Sequence, residues 1–191
     1  LESLGCTIKD ITFKNIDLAL AVYYIIMPAE ASTNLARFDG IRYGLHKSGK
    51  NLLEDYKLTK GICFGPEVRR RILLGSYVLS SGYYDAYYGK AEVARSILKK
   101  EFNEAFENVD ITATPTAPAP AWKIGEKSDP LSVYRADIFT VTAKMGGRPD
   151  ISIPSGISMV EGKALPLGIQ FMAQNNGEDL LFDVSKGFEK L

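Results

Sequence analysis

Three consecutive arginines, Arg69, Arg70 and Arg71, and one isolated acid, Asp137 in YRADIFT, are the residues best suited by type and setting to do chemistry. The arginines fall in PEVRRRILLGSYVLS (66–80), where proline stands at a first helical position and apolar residues recur at helical spacing. Successive helical residues point about 100° apart, so one arginine of the three can face inward while the others stay wet. An inward arginine needs a partner, because an unpaired buried charge is expensive. Its natural partner is a carboxylate, from the protein or from a ligand. Asp137, an acid flanked by apolar residues, is a similar case. The plainer reading of the arginines is a helix start with a solvated basic side, and contact with a phosphate is a third.

Other catalytic patterns are thin. The hydrolase elbow G-x-S-x-G is absent. A Ser-His-Asp triad would rest on His46, the one histidine, which sits in a turn-rich KSG loop and reads as a solvated side chain. Cys63 reads as a packing residue. GLHKSGK resembles a phosphate-binding loop only superficially, with neither the strand before it nor the helix after it. Two cysteines and one histidine cannot furnish a zinc site. No disulfide framework is indicated, so a reducing cytoplasm is the expected compartment.

Formal net charge is zero and the pI is near 6.8, which gives no dominant footprint for nucleic acid or membrane. No apolar run approaches the ~20 residues of a membrane helix, and no signal peptide is evident. The opening LESLGCTIKDITF lacks an initiator methionine and reads like the middle of something longer. At 191 residues and 46% hydrophobic composition, a single domain with a sizeable core is within reach.

The elements that must position these residues follow from periodicity. TIKDITF (7–13) alternates like a half-buried strand. A helix capped by Asn15 or Asp17 should run through DLALAVYYIIMPAEASTNLARF, kinked or split by Pro28. Residues 37–51 are rich in turn signals, and a short polar segment follows. Gly82 interrupts after the arginine helix. YYDAYYGKAEVARSILKKEFNEAFENVD then continues as an amphipathic helix with Val93, Ile97, Phe102 and Phe106 on one side. VDITATP is a short strand. TPTAPAPAWKIGEKSDP (114–130) is an extended, proline-spaced loop, a better reading than an SH3-type ligand. LSVYRADIFTVTAKMGG is a helix closed by Gly146-Gly147. DISIPSG and LPLGIQFM are strands around a turn containing Gly162, and GEDLLFDVSKGFEKL is a final helix. Strands alternating with helices imply an α/β layered architecture. SSGYYDAYY (80–88) carries four tyrosines in nine positions. Tyr83 with Tyr87, and Tyr84 with Tyr88, share helix faces, and the rings are expected to pack internally with bonded hydroxyls.

Five segments taken together, EASTNLARFDGIRYG, PEVRRRILLGSYVLSSGYYDAYY, DITATPTAPAPAWKIGE, DPLSVYRADIFTV and LPLGIQFM, resemble the amidase signature family in order and spacing, nearly end to end. FDGIRYG with SSGYYDAYY favours its tRNA-dependent amidotransferase branch. The resemblance implies the C-terminal part of the amidase-signature layered fold over residues 1–191, a mixed sheet covered by helices. It implies a parent enzyme that releases ammonia from glutamine for amidation of Glu-tRNA(Gln), working with the B and C subunits of the amidotransferase. The B subunit would use ATP and Mg and would handle aminoacyl-tRNA, and this chain would bind no cofactor. The family's Ser–cis-Ser–Lys triad lies in a Gly/Ser-rich signature, and no GSSGGS-like stretch occurs here, so no catalytic residue is expected in this chain. Carried over by motif, Tyr23 would line the glutamine pocket, Arg71 would bind the α-carboxylate and Asp137 the α-ammonium; a planar guanidinium and a carboxylate suit those groups. VTAKMGGRPDISIPSG departs from the family pattern by carrying Lys144, Arg148 and Asp150 where neutral residues are usual. Two rivals stay open: another amidase of the family acting on a different amide, and a non-catalytic module using the tyrosine face.

Overall fold

Alternating residues near the C-terminal end of the chain build the sheet. β2 (Asp150–Val160) and β3 (Lys163–Ala173) pair antiparallel. They are joined through Glu161 and Gly162, whose φ values of 48° and 75° are the left-handed conformations a tight hairpin turn requires. β1 (Ile111–Pro115) pairs antiparallel with the other edge of β3, so β3 is central in the order β1-β3-β2. The computed structural model describes residues 1–126 and 129–190. It separates into two units: Leu1–Tyr23 with Ala94–Leu191, and Tyr24–Val93.

In the first unit the sheet has two chemically different faces. Ile153, Phe171 and Ala173 pack with Leu181 of α7 (Glu178–Phe188), and Ile111, Ile151, Ile169, Val184 and Phe188 join them. The rings of Phe171 and Phe188 meet edge to face at 5.7 Å. The register sets Thr114 and Ser152 across from Gln170, and Thr112 across from Met172, so this second face is largely polar. It is closed by Phe102 of α4 (Lys90–Ala105) and Ala143 of α6 (Thr140–Gly146), which pack on Met172. A Cβ on Gly146 would lie 2.6 Å from the Phe102 ring, so only glycine lets α6 come this close. The layered α/β expectation holds, and among the described residues the sheet is antiparallel throughout.

The second unit is helical. It holds the rest of α1 (Leu18–Leu35), α2 (Leu52–Cys63) and α3 (Pro66–Val78), then a π-helical turn at Asp85–Gly89. Pro28 does not split α1, which runs on through it, fully buried. Gly75 of α3 lies against Pro28, and an added Cβ would collide with the Pro28 carbonyl.

Several expectations are corrected. Residues 7–13 form no strand; Ile8 and Ile11 are exposed, and only Phe13 packs inward, its ring 4.7 Å from that of Phe102. Asn15 bonds Glu101 through its carboxamide. The polar segment after residue 51 is α2, started by Asn51, whose side chain accepts from the Glu54 amide at 3.1 Å. Of the side expected on α4, Phe102 is buried with Phe106 packed against its cluster, whereas Val93 and Ile97 are exposed and Ala91 and Leu98 are buried in their place. The helix expected around Asp137 is broken into α5 (Pro130–Tyr134), a 3-10 turn at Arg135–Asp137, and α6. Gly147 closes α6 at φ 66° as expected. Residues 127 and 128 of the proline-rich loop lie outside the described residues.

The tyrosines pair as their spacing implies, with ring centroids 6.1 Å apart for Tyr83–Tyr87 and 5.2 Å for Tyr84–Tyr88. They do not form a core: Tyr83, Tyr84 and Tyr87 are each more than 40% exposed. The rings pack on one another and on Tyr77, 4.3 Å from Tyr83, rather than into an interior.

Candidate functional site

Asp137 ends the 3-10 turn that feeds α6, and it helps line an open cavity of about 710 Å³ in the first unit. The proline-rich loop forms one wall through Thr116, Ala117, Pro120 and Trp122, and the β1–β3 pair contributes Thr114 and Gly168. Thr140 of α6 and Ser155 of β2 complete the polar lining. The extended loop is thus a wall and not a free ligand for another domain. Among the described residues, Asp137 is the only charged one on a lining otherwise apolar or hydroxylated. Such a cavity suits a ligand with a cationic or donor-bearing head on a short chain.

The local sequence fixes this geometry. Asp129 caps α5 by accepting from the Ser132 amide at 2.9 Å, and Pro130 pre-sets the first helical φ. The Thr140 hydroxyl donates to the Asp137 carbonyl at 3.1 Å, tying the acid's backbone to the start of α6. Gly168 has no room for a side chain: a Cβ would fall 2.7 Å from Thr116 Oγ1 and 3.2 Å from Ser152 Oγ. Those two hydroxyls bond each other at 2.6 Å across it.

Tyr23 is placed in the same unit and is half-buried. It is not among the cavity's lining residues. The Lys144 ammonium lies 5.7 Å from its ring centroid. Thr140 and Lys144 are four apart on α6 and so share a stripe of that helix, which leads from the cavity wall to the cation on Tyr23.

The departures from the family pattern are accommodated. Lys144 covers Tyr23. Arg148 stacks over Phe106 at 5.3 Å and donates to Asn175 Oδ1 at 3.2 Å and to Asn103; burial lowers its pKa below the usual arginine value. Burial raises the Asp150 carboxyl above the ordinary aspartate value, and the nearby Lys144 charge opposes that shift.

Arg71 belongs to the helical unit. It is the inward member of its triplet, with its side chain 22% exposed against 49% for Arg70. Its Nε donates to Glu67 Oε1 at 2.7 Å, one turn back on α3. One guanidinium nitrogen contacts Met27 Sδ at 3.3 Å, and the group lies 5.7 Å from the Tyr24 ring centroid. Arg70 shares Glu67, and Arg69 donates to the Gly61 carbonyl. The carboxylate partner anticipated for an inward arginine is therefore present within the protein. The signal was a glutamate four residues earlier.

His46 faces Asp55 at 3.5 Å in an exposed loop, and Cys63 is exposed rather than packed. Among the described residues no His, Cys, Asp and Glu cluster could hold a metal, and no helix is long and apolar enough to cross a membrane.

The sequence profile of the Amidase family matches residues 1–182. The chain belongs to the amidase family. It is 48% identical, over all 191 residues, to the A subunit of glutamyl-tRNA(Gln) amidotransferase from Parvibaculum lavamentivorans, and 49% identical to the protein of the same name from Thermodesulfovibrio yellowstonii. It spans 38% and 39% of the length of those relatives. The crystal structure of the A subunit of glutamyl-tRNA(Gln) amidotransferase from Thermotoga maritima superposes over 95% of this chain and 34% of that one, with TM-score 0.66 and 38% identity. A 6-aminohexanoate cyclic dimer hydrolase shares the fold over 99% of this chain and 38% of its own, at TM-score 0.64 and 18% identity.

Proposed function

We propose that this chain is the C-terminal portion of the glutaminase (A) component of a tRNA-dependent amidotransferase and that it reads the head group of glutamine. The observation that carries the reading is similarity to those proteins along the whole chain at nearly half identity. The parent protein hydrolyses glutamine, and its ammonia serves the amidation of Glu-tRNA(Gln). Residues outside this chain supply the nucleophile. The B and C subunits of the amidotransferase are the partners. The B subunit uses ATP and Mg and holds aminoacyl-tRNA, and the assembly works in the cytoplasm.

Within the chain, Asp137 accepts the ligand's α-ammonium at the cavity wall. An anion among apolar and hydroxyl-bearing walls favours a primary ammonium over a neutral amide, which supports this role. Arg71 is assigned the α-carboxylate on the family resemblance. Glu67, which now holds its Nε, must share or yield a donor, and a guanidinium has five to offer. Tyr23 is assigned the pocket wall on the same resemblance. The test is glutamine-dependent ammonia release by the assembled amidotransferase. Asp137→Asn should raise KM for glutamine about tenfold or more, the scale of one charge-assisted hydrogen bond, and an unchanged KM would sink the reading. A second measurement mixes this chain with the N-terminal half of its parent: silence alone with activity on mixing supports the missing nucleophile, and activity from the chain alone refutes it.

A further inference from the structure

The β2–β3 hairpin contains one irregularity, and it lies at the cavity. Pairing is regular from Asp150↔Met172 to Pro154↔Gly168 and resumes at Gly156↔Leu167, so Ser155 has no residue opposite it. Gly156 next to it has φ 134°, a conformation that side-chain-bearing residues rarely adopt. This is a β-bulge, which bends a strand and re-aims a side chain. The re-aimed residue, Ser155, lines the same cavity as Asp137.

The other hydroxyls differ from it. Thr116 is bonded to Ser152, and Thr140 to the Asp137 carbonyl. Thr114 sits inside the paired strand opposite Gln170. Ser155 is exposed on an unpaired residue, and its hydroxyl has no hydrogen-bond partner among the described residues. An uncommitted donor and a carboxylate on one cavity lining are what a ligand carrying both acceptor oxygens and an ammonium requires. We propose that Ser155 is a ligand-contacting specificity residue of the Asp137 cavity, its hydroxyl donating to an acceptor oxygen of the amino-acid ligand.

The inference rests on the glutamine reading, and the experiment separates the two. In the assembled amidotransferase, kcat and KM for glutamine would be measured for Ser155→Ala, Ser155→Thr and Asp137→Asn, with melting temperature alongside. Loss of one neutral hydrogen bond to the ligand should raise KM about fivefold in Ser155→Ala, with kcat within about twofold. Ser155→Thr should recover most of the loss, which a merely structural role would not predict. If Asp137→Asn raises KM while Ser155→Ala leaves it unchanged, the role of Ser155 is refuted and the glutamine reading stands. If Asp137→Asn leaves KM unchanged, the glutamine reading falls and Ser155 with it. If Ser155→Ala lowers the melting temperature, the Thr variant decides: KM restored together with stability overturns the ligand contact, and KM restored without it supports it.

Discussion

Asp137 and Arg71 are both charged side chains in partly apolar surroundings, and their regions place them differently. Asp137 sits on a short broken helix beside a sheet, on a cavity whose other described lining residues are uncharged. Arg71 sits on a regular helix and is answered by Glu67 of that same helix. The first arrangement sets an anion on the wall of a space that a ligand can enter. The second sets a cation against a glutamate of its own helix, with which any further carboxylate would compete. The sheet unit is held by large buried rings, the helical unit by a close approach of backbones at Gly75 and Pro28.

The largest expected effect probes the rings. Phe171→Ala should cost about 3–5 kcal/mol, because Phe171 is fully buried between β3 and α7. Denaturant unfolding reads this directly, and a cost under about 1 kcal/mol would mean the sheet core is not what holds that unit. Next is Gly75→Ala, where the new methyl meets the Pro28 carbonyl. A loss of about 1–3 kcal/mol is expected from overpacking, and a neutral result would show that the two helices can separate freely.

Smaller is Glu67→Gln. The pair is partly exposed, so a stability change within about 1 kcal/mol is expected. If Arg71 serves the ligand carboxylate, KM for glutamine should fall in this variant, because the competing anion is gone. A rise would mean that Glu67 positions the arginine instead.

Two pH experiments close the series. The Tyr77 hydroxyl is pushed up to about 12, first by its hydrogen bond with Tyr83, then by burial and by the charge that Tyr83 and Tyr87 would carry. A raised folded-state value means the contribution is full below the ordinary tyrosine pKa near 10 and is lost as pH rises toward about 12. Ultraviolet titration should show Tyr77 ionising late, its value returned toward about 10 by Tyr83→Phe. Smallest is Asp150→Asn. Its folded pKa is raised by burial and lowered in part by Lys144, so folding opposes its ionisation. The variant should be neutral to slightly more stable at about pH 7, with the difference gone below about pH 4, where the carboxyl is protonated folded and unfolded.

The sequence exposed some of this and hid the rest for physical reasons. The hairpin, α3 and α7 were legible because periodicity, proline and glycine agree there. Asp137 was legible as an acid with no like neighbours. α2 was not: Leu52, Leu53, Leu58 and Ile62 are exposed, so no buried stripe marks it, and the Asn51 cap that starts it was not read from the sequence. The alternation in residues 7–13 misled because a strand needs a partner and none adjoins it among the described residues. The tyrosines misled because aromatic rings can satisfy one another at a surface. Ser155 gave no signal, since a bulge depends on how two strands register, which neither strand's own pattern records.

That bulge also sets a phase. Up to Pro154 every second residue of β2 belongs to the same face, and the unpaired serine shifts the count by one for everything beyond. Deleting Ser155 would let Gly156 follow Pro154 directly, with Ile157 and Met159 still opposite Pro166 and Ala164 and on the sides they hold now. The extra residue belongs to no cross-strand pair. A shortening there would straighten the ribbon and remove a hydroxyl from the cavity wall without disturbing its pairing.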